Sequence, residues 1–260
     1  MTHYATLHTK TEDGLHTILL NRPEKRNALT PELMEELTQA LEAAAENANV
    51  RVVLITGAGS AFCAGLDLEV LRANANASAE EARADAERIA ALFKTLYALP
   101  KPTIAAVNGP AIAGGMGIAT LCDFTLAVPE AKFGYTEVRI GFIPAIVSAY
   151  LRTQIGDKQA RELLLTGRLI GAEEAAALGL VTRVVPEPEL LREAHAVAAK
   201  LMRNSPAAMA ATKRLLARFA DRHLPEDVEA AIRASVQMRA HEDFREGVSA
   251  FLEKREPKWD

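Results

Sequence analysis

Twice in this chain a short, almost wholly apolar run ends in a glycine-bearing loop, and that pairing restricts the fold more than any other feature. The first run is Val52-Val53-Leu54-Ile55-Thr56, followed by Gly57-Ala58-Gly59-Ser60-Ala61-Phe62-Cys63-Ala64-Gly65-Leu66-Asp67-Leu68. The second is Thr103-Ile104-Ala105-Ala106-Val107, followed by Asn108-Gly109-Pro110-Ala111-Ile112-Ala113-Gly114-Gly115-Met116-Gly117. Runs this short and apolar read as buried strands, and 124–128 adds a third. Helical segments separate them, of which 79–98 is the longest. Short strands alternating with helices imply an α/β core.

The flanking segments complete the outline. Residues 4–20 alternate around Glu12-Asp13-Gly14, a hairpin signal. Thr30-Pro31 opens a helix as N-cap and first position, with Leu33, Met34, Leu37, Ala40, Leu41 and Ala44 on its apolar face. Beyond residue 186 the strand signal fades, and 189–204, 206–219, 225–240 and 242–254 read as helices, broken at Ser205-Pro206 and Leu224-Pro225. We therefore divide the chain into a core, 1–186, and a helical C-terminal region, 187–260. That region carries Leu215, Leu216, Phe219, Phe244, Val248, Phe251 and Leu252, too much apolar surface for an isolated appendage to leave in water. Its expected role is assembly.

Composition excludes whole classes of function. A net charge of −4 and no basic run give nucleic acid no general attraction. No stretch of about 18 apolar residues signals a membrane span. Met1-Thr2-His3-Tyr4-Ala5 has neither a cationic start nor an apolar core of a signal peptide. Two cysteines, Cys63 and Cys122, cannot form a disulfide framework, so a reducing, cytoplasmic compartment is the expectation. The histidines of the hairpin and the C-terminal helices, His16 among them, read as surface residues. None lies near a cysteine or carboxylate at metal-ligand spacing, so no metal is expected.

The glycine loops invite three chemical readings. Gly57-Ala58-Gly59 after a strand suggests a dinucleotide fingerprint, but the third small residue would fall at position 62, where Phe62 stands. A phosphate-binding P-loop fails for want of a Gly-Lys-Ser/Thr, and Ser60 and Ser148 sit in no Gly-x-Ser-x-Gly elbow. The third reading uses backbone N–H groups from both loops to hold one carbonyl oxygen as it gains negative charge. Glu137, in Phe133-Gly134-Tyr135-Thr136-Glu137-Val138, then serves as a base at an adjacent carbon. Taken alone, such a glutamate is more often a solvated loop residue or a structural ion-pair partner.

Four segments together resemble the enoyl-CoA hydratase/isomerase, or crotonase, family nearly end to end. Leu20-Asn21-Arg22-Pro23-Glu24-Lys25-Arg26-Asn27-Ala28-Leu29 is similar to its N-terminal CoA-contacting motif, and Arg26 and Ala28 are the contacts that this implies. Ala61 to Leu68 resembles the first oxyanion loop, which makes Leu66 a main-chain donor and places Ala64, Asp67 and Leu68 beside the thioester. Asn108 to Asp123 resembles the second loop and its helix, with Gly114 as the matching donor. Ala250-Phe251-Leu252-Glu253-Lys254-Arg255 resembles the segment that reaches a neighbouring subunit's CoA through Phe251 and Lys254. The resemblance implies a spiral of ββα units, a homotrimer or homohexamer, and an acyl-CoA substrate that carries coenzyme A with it, so no separate cofactor.

The chain departs from the family's hydratases in two places. Those enzymes carry a first glutamate three residues after the second-loop donor, and Gly117 occupies that position here. Gly141-Phe142-Ile143-Pro144-Ala145 stands where a Pro-Gly-x-Gly-Gly run is common. Both departures resemble a single-glutamate branch, some of whose members act on methylglutaconyl-type esters. The implied activity is 2-enoyl-CoA hydration with Glu137 as acid/base. A Δ3,Δ2-enoyl-CoA isomerase also needs only one base, and a non-catalytic acyl-CoA binding or assembly protein needs none. Hydration with one carboxylate requires something else to position water, and the candidates are backbone near Gly117 and the hydroxyls of Tyr135 and Thr136.

Overall fold

The computed structural model describes residues 3–220 and 223–259; Met1 and Thr2, which open the segment read for a targeting signal, lie outside them. In chain order the elements begin with β1 (Leu7–Glu12), β2 (Leu15–Leu20), α1 (Pro31–Glu46), β3 (Val52–Gly57), α2 (Leu68–Asn74) and α3 (Ala79–Ala98). The central part holds β4 (Thr103–Val107), β5 (Ala111–Ile112), α4 (Gly114–Leu121), β6 (Phe124–Ala127), β7 (Lys132–Gly134) and α5 (Ala145–Thr166). It continues through β8 (Ile170–Gly171), α6 (Ala172–Ala177) and β9 (Arg183–Val184) to α7 (Leu190–Met202), α8 (Pro206–Ala220), α9 (Leu224–Arg239) and α10 (Glu242–Glu253).

One six-stranded sheet, in the order β1-β2-β3-β4-β6-β9, forms the centre. Its only antiparallel pair is the β1/β2 hairpin, whose turn residues Asp13 and Gly14 have φ of +48° and +87°, as an Asp-Gly hairpin turn requires. The hairpin's second strand then runs parallel to β3, with Leu15 opposite Val52 and Leu20 opposite Gly57. Every residue of β3 and β4 is buried, which is why both read as unbroken apolar runs rather than alternating ones. A second, three-stranded sheet pairs β5 with β7 and β7 with β8.

The helices cover this framework as their apolar faces dictate. The Thr30 side chain accepts the Leu33 N–H, and all six residues of the expected α1 face are buried. Ser78 caps α3 with a reciprocal Ser78–Glu81 capping box. The boundary drawn at residue 186 does not divide the core. Leu190, Ala194 and Ala198 of α7, and Ala231 and Ile232 of α9, belong to the same buried cluster as the strands.

Two expectations need correction. The apolar residues of the C-terminal region, expected to be too many to leave in water, divide in two: Phe244 and Val248 are buried, while Leu215, Leu216 and Phe219 of α8 are 50%, 60% and 71% exposed. His16 is not a surface residue but half-buried, with Nδ1 2.8 Å from Thr11 Oγ1, and burial lowers its pKa. Among the described residues no helix is long and apolar enough to cross a membrane, and no group of three or more His, Cys, Asp or Glu residues is placed to hold a metal ion.

Candidate active site

The two glycine loops lie against one another. Phe62 and Cys63 N–H groups both donate to the Pro110 carbonyl at 3.1 Å, and Ile112 N–H donates to the Cys63 carbonyl at 2.9 Å. In each loop the residue before the expected donor has a positive φ: +87° at Gly65 and +51° at Ala113. Glycine adopts this geometry freely, whereas alanine is strained there by on the order of 1–3 kcal/mol. Strain of this kind persists where surrounding bonds over-determine it, and Ala113 N–H is indeed fixed to the Gly134 carbonyl at 2.8 Å. The turn leaves Leu66 N–H and Gly114 N–H with no acceptor among the described residues. Gly114 is also the first residue of α4, so the helix cannot use its N–H and adds its positive end there.

Both donors line a cavity of about 820 Å³, the size of a small-molecule site. Exposed Lys25, Arg26, Arg139 and Phe251 mark its rim, and buried Phe93, Ile146 and Val147 its interior. Glu137 lines the same cavity from the first position of a short 3-10 turn, Glu137–Ile140. Its Oε2 is buried without a hydrogen-bond partner, and burial pushes the carboxyl up to about 7, against one opposing hydrogen bond from its own backbone. The segment carrying it is tied to the second loop twice. One tie is the Ala113–Gly134 bond; the other joins the Tyr135 hydroxyl to Thr120 Oγ1 of α4 at 3.2 Å. A carboxyl that titrates near neutrality, in the same cavity as two unpaired donors, can move protons next to a polarised carbonyl.

Nine of the ten residues singled out from the sequence meet at this cavity. Arg26, Ala28, Ala64, Leu66, Asp67, Leu68, Gly114, Glu137 and Phe251 line it; Lys254 does not, being the exposed left-handed C-cap of α10. Asp67 is committed within the chain. Its Oδ1 accepts the Glu69 N–H that starts α2, and its Oδ2 accepts from Arg22 Nη2 at 3.1 Å. Arg22 Nη1 also donates to the Ala28 carbonyl at 2.6 Å, so one guanidinium joins the N-terminal motif to the first loop. Buried Asn27 does the same from the other side, donating to the Ala58 and Ala61 carbonyls.

Of the groups considered for positioning water, Thr136 lines the cavity, while Tyr135 and Gly117 are buried away from it. Cys63 and Cys122 are free, and burial raises both thiols to about 12, which removes them as nucleophiles. Sequence reasoning did not single out Arg22, Phe93, Asp85, Ser235 or Arg239. Only the i, i+4 spacing of the last two was visible beforehand.

The model of enoyl-CoA hydratase/isomerase matches residues 10–260. The chain belongs to that family. It is 45% identical over 242 residues to a putative enoyl-CoA hydratase of Thermus thermophilus, covering 93% of this chain and 96% of that protein. It is 37% identical to a probable enoyl-CoA hydratase of Rhodobacter capsulatus, covering 98% and 97%. Among solved structures, an enoyl-CoA hydratase/isomerase from Xanthobacter autotrophicus Py2 superposes with a TM-score of 0.89 at 33% identity, over 97% of this chain and 98% of that one. The architecture is thus the crotonase fold with its helical C-terminal region, and the protein is an enzyme of the hydratase (lyase) kind.

Proposed function

We propose that the protein hydrates 2-enoyl-CoA thioesters with Glu137 as its one acid/base carboxyl. The thioester oxygen accepts hydrogen bonds from Leu66 and Gly114 N–H, which hold its charge as the enolate forms. Glu137 takes a proton from water, the water oxygen bonds to the β-carbon, and the alkene electron pair moves toward the thioester. The same carboxyl then delivers the proton to the α-carbon. Thr136, whose hydroxyl has no hydrogen-bond partner among the described residues, is positioned to orient the water. Arg26, Ala28, Ala64, Asp67, Leu68, Phe251 and Lys254 are proposed to hold the CoA thioester, and no separate cofactor is needed.

The observation that carries this reading is the buried, unpartnered Oε2 of Glu137 in the same cavity as two unpaired N–H groups. The names of the relatives support hydration. Crotonyl-CoA should lose its enoyl thioester absorbance on incubation with the enzyme and gain the mass of one water. Failure across a series of chain lengths would overturn the reading.

Gly117 keeps one second reading in play, because double-bond isomerisation also uses a single base. A 3-enoyl-CoA substrate separates the two: an isomerase would generate the conjugated absorbance with no gain in mass. We further propose assembly as a homotrimer or homohexamer, supported by the exposed Leu215, Leu216 and Phe219 on α8. Light scattering of the intact chain tests it, and a monomer would exclude it.

A further inference from the structure

Helix α3 lays one face along the cavity. Asp85, Ile89 and Phe93, four residues apart, all line it, and the donor helix α4 packs beside them. A Cβ at Gly114 would lie 3.8 Å from Ile89 Cδ1, whereas one at Gly117, a turn further on, would collide with the Phe93 ring. Phe93 therefore stands one helical turn beyond the oxyanion donor. Behind its ring the space is filled. Tyr150 of α5 meets it edge-on and in turn packs against Tyr97 of α3, with ring centres 5.3 Å apart. Tyr150 is 2% exposed, and neither tyrosine lines the cavity.

The two ends of the α3 face suit different groups. At one end Asp85 accepts from Arg239 Nη2 at 2.5 Å. An alkyl tail laid there would displace water from a charged pair and return no hydrogen bond. At the other end Leu29, Met34, Ile146 and Val147 join Phe93, every one of them apolar and 6% exposed or less. Ile146 and Val147 lie one turn before Tyr150 on α5, so they belong to the same end as the ring. With the cationic rim of Lys25, Arg26 and Arg139 facing the polar part of a thioester, this apolar end is left for the acyl tail. Each methylene buried there strengthens binding about fourfold, until the tail meets a wall that cannot give. That wall is the Phe93 ring, backed by two tyrosines.

We infer that Phe93 closes the acyl pocket and sets the length of chain that the enzyme accepts. This deepens the hydratase reading, on which it rests for the orientation of the thioester, by naming its substrate class: short-chain 2-enoyl-CoA thioesters whose alkyl tail ends against the ring. Phe93 is a specificity-determining residue in this account and takes no part in proton transfer.

Saturated thioesters bind without turning over, so they measure the pocket apart from the chemistry. Butyryl-, hexanoyl-, octanoyl- and decanoyl-CoA are titrated calorimetrically into the wild-type protein. Affinity is expected to rise about fourfold per methylene over the shorter members and to stop rising within the series. In Phe93→Ala the break should move by about two carbons or more, because the ring's space becomes available to the tail. Decanoyl-CoA should then bind about tenfold or more tighter to the variant than to wild type, with no gain for butyryl-CoA. Phe93→Leu should shift the preference the same way, severalfold for decanoyl-CoA, and decides the matter if Phe93→Ala does not fold. A wild-type affinity that climbs through decanoyl-CoA, or a break at one length in all the proteins, would overturn the inference. So would a loss of one common factor for all four esters, the mark of a role in packing alone. Hydration of crotonyl-CoA, assayed separately, reports on the hydratase reading.

Discussion

The Phe93 ring occupies the space that any side chain at Gly117 would need. A Cβ there would fall 2.4 Å from Phe93 Cζ and 2.9 Å from its Cε2. Phe93 is 1% exposed and packs edge-on against Tyr150 at 6.4 Å, so the ring can yield only toward the cavity it lines. The family glutamate missing at this position has therefore not simply been deleted; an aromatic ring fills its place. Gly117→Ala is expected to cost about 1–3 kcal/mol of stability, as overpacking does, measured by denaturant unfolding. Gly117→Glu alone should lose activity, and combining it with Phe93→Ala should recover part of the loss. Full activity in Gly117→Glu alone would show that the ring moves aside freely.

Glu137→Gln separates chemistry from stability. Turnover is expected to drop about 10²–10⁴-fold, with acyl-CoA affinity nearly retained, because the amide keeps size and polarity but moves no proton. Between about pH 4.5 and 7 the folded chain keeps a proton on Glu137 that the unfolded chain has released. The stabilising contribution of the neutral carboxyl is thus complete below 4.5 and is lost as pH rises through 7. Gln stays neutral, so the variant should melt above wild type in alkaline buffer, by at most about 3 kcal/mol, with the gap closing in acid. For wild type, kcat/KM should rise with pH through a midpoint near 7. A midpoint in the ordinary carboxylate range would place the active base elsewhere.

The two main-chain donors differ in what they tolerate. Gly114→Pro removes an N–H at the first position of α4, a position proline tolerates in helices. Its Cβ would meet the flexible ends of Leu29, at 2.7 Å, and Ile89, at 3.8 Å, although Ala113 before it has a φ of +51° that a following proline disfavours. A fall in turnover of about 10²-fold or more is expected with the fold retained by circular dichroism. Leu66→Ala keeps its N–H and should cost far less. Equal damage from the two would mean that the leucine side chain, and not its N–H, serves the reaction.

What could be read from the sequence followed the range of each interaction. Thr30 with the α1 face, Asp13-Gly14 and the 79–98 helix are local patterns of cap, turn and periodicity, and each stands as expected. Strands β5, β8 and β9 have two residues each, too short to carry a period, and were invisible. The oxyanion donors are main-chain groups with no side-chain signature, so only the resemblance pointed to Leu66 and Gly114. The Arg239–Asp85 pair joins residues 154 apart in sequence and exists only because α9 packs on α3. The burial of His16 likewise depends on the tertiary fold, and its hairpin position gave no warning.

Helix α10 sets the turn that carries Glu137. A Cβ at Gly247 would lie 2.3 Å from the Ile140 carbonyl carbon and 2.4 Å from its oxygen, so the two backbones touch where only glycine fits. Phe244 reinforces the contact by packing against Phe142 with ring centres 5.0 Å apart. Gly247→Ala should push the 137–140 turn out of place and lower kcat about tenfold, since misplacing a catalytic group by a fraction of its reach is costly. Val248→Ala supplies the control: that residue is 2% exposed in the cluster against which Ile140 and Phe142 pack, so its truncation should destabilise α10 by about 0.5–3 kcal/mol while leaving the Gly247–Ile140 backbone contact in place. Both variants should melt earlier than wild type, but assayed where each is fully folded, only Gly247→Ala should be slow. If Val248→Ala proved equally slow, α10 would matter to the site through its stability alone, and the contact at Ile140 would have no positioning role.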